Sequence, residues 1–168
     1  MSDPDLPAGP DLVIARASAA GLMIATAESL TGGALVSRLV DVPGASRCLA
    51  GGAACYSYTA KSRVLGVDAA MLERDGAVNE TTARQMAEGA LDAYAADVAV
   101  STTGVAGPGP DGRGVPAGTV HIAVARRGGG TRALVLQLDG DRTEVRAQAV
   151  AAALDALARA LPEVPASA

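Results

Sequence analysis

The residues that could attack a carbonyl or move a proton fall into two short runs. Ser29 lies in Thr26-Ala27-Glu28-Ser29-Leu30-Thr31-Gly32-Gly33, and Tyr56, Tyr58 and Lys61 lie in Cys55-Tyr56-Ser57-Tyr58-Thr59-Ala60-Lys61. Lys61 is the only lysine; every other basic residue is arginine. Arginine keeps its proton in a protein, whereas a desolvated lysine can lose it, so a solitary lysine is a candidate for proton chemistry. Compositional drift toward arginine is the plainer cause of the same ratio. A serine nucleophile needs a base. His121 is the only histidine, and it falls inside a predicted strand, where a structural role outweighs a catalytic one. A lysine–tyrosine relay is the remaining way to activate Ser29: either desolvation lowers the lysine pKa, or the tyrosine is the base beside the charged lysine. The competing reading makes Ser29 a helix cap, the commoner use of serine in such a turn.

Other constellations narrow the chemistry. Gly32 and Gly33 let backbone approach a ligand, and N–H groups around Thr31 to Gly33, at the start of the following helix, are expected to be open to an anion or an oxyanion. The run Thr103-Gly104-Val105-Ala106-Gly107-Pro108-Gly109-Pro110 is Gly-rich but carries no lysine after its glycines, so it is not a Walker loop. It reads equally as a phosphate cradle and as a surface loop. Arg142 and Arg146, four apart, share one helix face: a solvated face, or a partner for phosphate. One histidine, two scattered cysteines and dispersed carboxylates form no recognisable metal site, and neither a metal nor a cofactor is expected. Cys48 and Cys55 read as buried free thiols. The net charge of −4 without a basic block, and the absence of Phe and Trp, argue against a nucleic-acid partner. No window reaches the length of a membrane span, and the acidic, Pro-rich start does not resemble a signal peptide. The expected location is the cytoplasm.

Elements must position these residues. The expected organisation is a disordered tail over residues 1–10, one domain over 11–162, and a short tail over 163–168. Helical spacing is read at Pro10–Ala20, Ala34–Val40, Thr59 or Ser62 to Leu65, Asp68–Arg74, Glu80–Tyr94, and from the cap Gly140-Asp141-Arg142-Thr143 to Leu161. Strands are read at Leu22–Ala27, Cys48–Tyr58, Val98–Thr102, Thr119–Arg126 and Arg132–Leu138, the last two joined at Gly128-Gly129-Gly130. Alternation along the second strand would put Tyr56 and Tyr58 on one face, with the Lys61 ammonium near a tyrosine hydroxyl. The order predicts an α/β fold: a three-layer α/β/α sandwich around a mixed sheet of about five strands ending in an antiparallel hairpin.

The first of these runs resembles the "TAESCTGG" signature of the CinA C-terminal domain family. The likeness continues through Asp41-Val42-Pro43-Gly44-Ala45-Ser46, Tyr56-Ser57 with Lys61, Leu65-Gly66-Val67 and Gly76-Ala77-Val78. It resumes at Thr103–Gly109, Gly118-Thr119-Val120 and Gly140-Asp141-Arg142, covering roughly residues 20–160 in order. That family includes nicotinamide-nucleotide amidohydrolases. The resemblance implies hydrolysis of the carboxamide of nicotinamide mononucleotide to nicotinic acid mononucleotide and ammonia, a salvage step, with Ser29 as nucleophile and Tyr56 and Lys61 assisting. It implies a substrate site drawn from Glu28, Thr31, Gly32, Gly33, Thr103, Gly104, Ala106, Gly107 and Arg142, and a homodimer or larger homo-oligomer. Two rivals stand beside it: a nucleotide-binding or protein-interaction module without turnover, linked to competence or DNA damage, and an amidase for another small amide. Three positions depart from the family pattern. Leu30 replaces the usual Cys, so that cysteine is not essential here. Tyr58 replaces the usual Asn two residues after the tyrosine, an exchange expected to cost a substrate or backbone hydrogen bond. The Pro110–Pro116 loop lacks the usual lysine, leaving Arg113 as the residue that could compensate.

Overall fold

The computed structural model describes residues 8–164; the remainder of both expected tails lies outside them. Pro10, read both as the end of the tail and as the start of the first helix, opens α1 (Pro10–Ala20), where a missing N–H costs nothing and the fixed φ suits the helix. The chain continues through β1 (Ile24–Glu28), α2 (Ala34–Val40), a 3-10 turn (Ala45–Arg47), β2 (Leu49–Ala54), α3 (Tyr58–Leu65), α4 (Ala69–Asp75) and α5 (Glu80–Ala93). It ends with β3 (Val98–Gly104), β4 (Thr119–Arg126), β5 (Thr131–Gln137) and α6 (Arg142–Ala160).

The five strands form one mixed sheet in the order β2-β1-β3-β4-β5. β1 pairs in parallel with β2 and with β3, and the β3–β4 and β4–β5 pairs are antiparallel. Strand alternation sorts the core into two unequal layers. Ile24, Val98, Val100, Val120, Ile122 and Val124 face α1, α2 and α6, whereas Ala25, Ala27, Ala99, Ala123 and Ala125 face α3, α4 and α5. Alanines on the second face let α5 lie close to the sheet. At Gly89 of α5 the approach to α3 is closer still, since a Cβ there would run into the Leu65 carbonyl oxygen.

The main correction to the sequence reading concerns β2. It ends at Ala54 rather than running to Tyr58, because Ser57 takes extended backbone and its side chain accepts the Ala60 N–H, capping α3. Tyr58 is therefore the first residue of a helix, and Tyr56 and Tyr58 do not share a strand face. The topology then selects one end of the sheet. From β1, an interior strand flanked by β2 and β3, the chain leaves over one face through α2 to β2, and returns over the other through α3–α5 to β3. The carboxyl end of β1 is thus a point where the connections diverge, the usual crevice for ligands in an α/β sheet. Ser29 is the next residue.

Candidate active site

Neighbouring strands hold the Ser29 turn from both sides. The Ser29 N–H donates to the Thr102 carbonyl at 2.9 Å, and Cys55, just past β2, donates its N–H to the Glu28 carbonyl at 2.8 Å. The Thr31 and Thr102 hydroxyls are 2.8 Å apart. Gly33 takes φ +96°, a left-handed conformation that favours glycine, and so turns the chain into α2.

Glu28, expected in the substrate site, lies fully buried beneath the turn. Its carboxylate accepts the N–H groups of Gly33 at 2.9 Å, Leu35 at 3.0 Å and Val36 at 2.8 Å, and the Thr26 hydroxyl at 3.2 Å. A carboxylate at a helix N-terminus satisfies orphan donors and meets the positive end of the dipole. Glu28 therefore fixes the turn from below and leaves no oxygen for a ligand. The same bonds correct the expected oxyanion donors. The Gly33 N–H is taken by Glu28, and the Gly32 N–H donates to the Ser29 carbonyl at 3.0 Å. Among the described residues, the Leu30 and Thr31 N–H groups have no acceptor.

Lys61 enters from α3 on the alanine-lined side. Its side chain is 1% exposed, yet among the described residues no carboxylate pairs with it. The Nζ lies 2.9 Å from Ser29 Oγ and 2.7 Å from the Cys55 carbonyl oxygen. Burial without a counter-ion lowers its pKa to about 8, with the Cys55 thiol a smaller opposing influence. Charged, the lysine donates to Ser29; neutral, it can accept the serine proton. The expected lysine–tyrosine contact is not among the hydrogen bonds. The chain turns outward after Cys55, leaving Tyr56 64% exposed, and its hydroxyl accepts instead from Arg142 at 3.0 Å.

Arg142, at the start of α6, also donates to the Gly107 carbonyl at 2.9 Å. It thereby ties Tyr56 to the Gly-rich loop beside a cavity of about 210 Å³. Leu30, Tyr56, Val78, Arg142 and the loop Gly104–Asp111 line this cavity. Gly104, Ala106 and Gly107 thus fall where expected, and among the described residues the N–H groups of Ala106, Gly107 and Gly109 have no acceptor. Thr103 does not face the cavity: it is buried, and its hydroxyl donates to the Ala77 carbonyl at 2.6 Å. Arg113 is also diverted, its guanidinium donating to the Glu73 and Arg74 carbonyls at the end of α4. Arg146 is half-buried against the Ser29 turn. Its Nε donates to the Leu30 carbonyl and its Nη2 to the Thr31 carbonyl, each at 2.9 Å. Sequence spacing placed Arg146 beside Arg142 but carried no sign of this contact.

Two larger cavities lie elsewhere. One of about 570 Å³ sits between β4–β5 and the C-terminal end of α6, and one of about 540 Å³ lies among α1, α2 and α6. None of the three cavities is lined by Ser29 or Lys61 themselves, but only the smallest reaches the Ser29 turn, through Leu30, the residue next to the nucleophile. His121 lies on β4 with its pKa lowered by burial, Glu80 opposing. Both cysteines are free and buried. Among the described residues, no cluster of three or more His, Cys, Asp or Glu side chains is placed to hold a metal, and no helix is long and apolar enough to cross a membrane.

Comparison with known proteins gives a consistent picture. Residues 10–161 match the family described as CinA C-terminal domain. A CinA-like protein of Mycolicibacterium vanbaalenii is 46% identical over 142 residues, covering 84% of this chain and 34% of the relative. The CinA-like protein of Mycobacterium tuberculosis is 43% identical over 147 residues, covering 88% and 34%. The chain thus spans about a third of the length of these curated relatives. Among solved structures, the competence-damaged protein (CinA) superfamily protein of Escherichia coli aligns with a TM-score of 0.87 at 35% identity, covering 96% of this chain and 95% of that one. The competence/damage inducible protein of Agrobacterium tumefaciens gives 0.82 at 38%, covering 94% and 97%.

Proposed function

The chain belongs to the CinA C-terminal domain family, and from that premise we propose that it hydrolyses the carboxamide of nicotinamide mononucleotide, releasing ammonia and nicotinic acid mononucleotide. The observation that carries this reading is the contact between Ser29 Oγ and a buried lysine without a counter-ion, 2.9 Å away. A serine hydroxyl is a weak nucleophile at its own pKa, and a nearby base with a pKa near working pH is what activates it.

In this reading neutral Lys61 takes the Ser29 proton as Oγ bonds to the carboxamide carbon, and the carbonyl electron pair moves onto its oxygen. Backbone N–H groups at the turn hold that oxygen. As the tetrahedral adduct collapses, the C–N bond breaks and Lys61 passes its proton to the departing nitrogen, releasing ammonia. Water then attacks the acyl-serine ester with Lys61 again as base, which restores Ser29 and releases the carboxylate. Tyr56 lines the path rather than relaying the proton, because its hydroxyl is engaged by Arg142. The 5′-phosphate would meet the Arg142 guanidinium and the free N–H groups of Ala106, Gly107 and Gly109.

The test compares nicotinamide mononucleotide with nicotinamide and nicotinamide riboside. A site that reads phosphate favours the nucleotide by at least tenfold in kcat/KM, and Ser29→Ala abolishes turnover of all three. Equal rates on the three amides would move the reading to a general small-amide hydrolase. Binding of the nucleotide without turnover by wild type would move it to a binding module.

A further inference from the structure

Arg146 spends its guanidinium on two backbone carbonyls of the Ser29 turn, and among the described residues it pairs with no carboxylate. The geometry of the peptide bond gives this a consequence. In a trans peptide the C=O and N–H point in opposite directions. The Leu30 carbonyl and the Thr31 N–H belong to one peptide, and the Thr31 carbonyl and the Gly32 N–H to the next. Holding both carbonyls toward α6 turns both N–H groups away from α6. The Gly32 N–H accordingly meets the Ser29 carbonyl at 3.0 Å. The Thr31 N–H is left without an acceptor and directed away from α6, which packs on the face of the sheet opposite α3, the helix that carries Lys61.

We infer that Arg146 is a positioning residue that fixes the Leu30–Thr31 peptide so that the Thr31 N–H serves as a preorganised oxyanion donor. A two-point guanidinium contact suits this task better than an ammonium, because two N–H donors in a rigid plane fix two carbonyl directions at once. Its positive charge also polarises the peptide in the direction that strengthens the N–H as donor. The role supposes the serine chemistry proposed above, and it differs from reading phosphate: the arginine acts through the backbone and never touches substrate.

Arg146→Gln and Arg146→Lys test it. For the nucleotide carboxamide, Arg146→Gln is expected to lower kcat about 100-fold or more with KM within about threefold, the loss typical of one oxyanion donor. Arg146→Lys, retaining the charge but one contact, falls between Arg146→Gln and wild type. The thioamide analogue adds a readout that mere loosening of the fold would not move. Sulfur is a poor acceptor for the N–H, so the wild-type preference for carboxamide over thioamide should shrink at least tenfold in Arg146→Gln. Independently of turnover, nitrogen-15 relaxation should show the Thr31 amide rigid in wild type and mobile in Arg146→Gln, with Leu35 unchanged. A raised KM with intact kcat would assign Arg146 to the substrate and overturn the inference, as would an unchanged Thr31 amide. Loss of all amide hydrolysis in wild type would instead overturn the serine chemistry, and the relaxation measurement would still decide what holds the Thr31 peptide.

Discussion

Lys61 is the residue whose protonation the fold perturbs most usefully, and its effect on stability can be worked out. Its pKa falls from an ordinary 10.5 to about 8 because the ammonium is buried with only a hydroxyl and a carbonyl as partners. Folding therefore favours the neutral form. Between about pH 8 and 10.5 the unfolded chain holds this proton and the folded chain does not, so stability rises with pH across that window. Conversely, the contribution is lost as pH falls through 8. At about 1.4 kcal/mol per unit the full span is about 3 kcal/mol, and roughly 2 kcal/mol of it falls between pH 7 and 9.5. Lys61→Met, apolar and of similar length, removes the titration. Urea denaturation of both proteins at half-unit steps would isolate it, because other groups cancel in the difference. The wild-type midpoint should climb by about 1 M relative to Lys61→Met from pH 7 to 9.5. A difference that stays flat across this range would refute the reasoning, since it would mean that Lys61 keeps its proton in the fold.

Further outcomes follow from the same structure. Amide hydrolysis by wild type should rise about 50-fold in kcat/KM from pH 6 to pH 8 and then level off, following neutral Lys61; Lys61→Arg, locked in the charged form, should lose activity without regaining it at high pH. Glu28→Ala should cost about 3 kcal/mol in urea denaturation, because three buried N–H groups lose a charged acceptor; unchanged stability with a raised KM would return Glu28 to the substrate site. Gly89→Ala should destabilise by about 2 kcal/mol or more, since its Cβ would collide with the Leu65 carbonyl, and a thermal midpoint equal to wild type would contradict that packing. Arg142→Ala should raise KM for the nucleotide at least tenfold and leave nicotinamide riboside little affected, a comparison made by steady-state kinetics.

The division of labour between sequence and structure follows range of interaction. Helix α5 and the β4–β5 hairpin were legible because periodicity, Gly128-Gly129-Gly130 and flanking polar residues are local signals. The end of β2 was not, because Tyr56, Ser57 and Tyr58 have the composition of a strand and only the Ser57 cap on Ala60 diverts them into α3. The lone lysine stood out by inventory, and its approach to Ser29 depends on parallel pairing of β1 with β2 and on α3 packing behind it. Glu28 shows the limit of motif reading. Its place beside the nucleophile suggests a ligand contact, whereas its side chain turns inward to the start of α2. Arg146 and the Leu30–Thr31 carbonyls are separated by more than a hundred residues, so no local pattern could join them.

The most direct test is ammonia release from nicotinamide mononucleotide by purified wild type and Ser29→Ala, each with chelator and no added metal. The account predicts chelator-insensitive release by wild type and a loss of about 1,000-fold or more in a folded Ser29→Ala variant. Equal release by the two proteins would contradict it, because the nucleophile would then lie elsewhere.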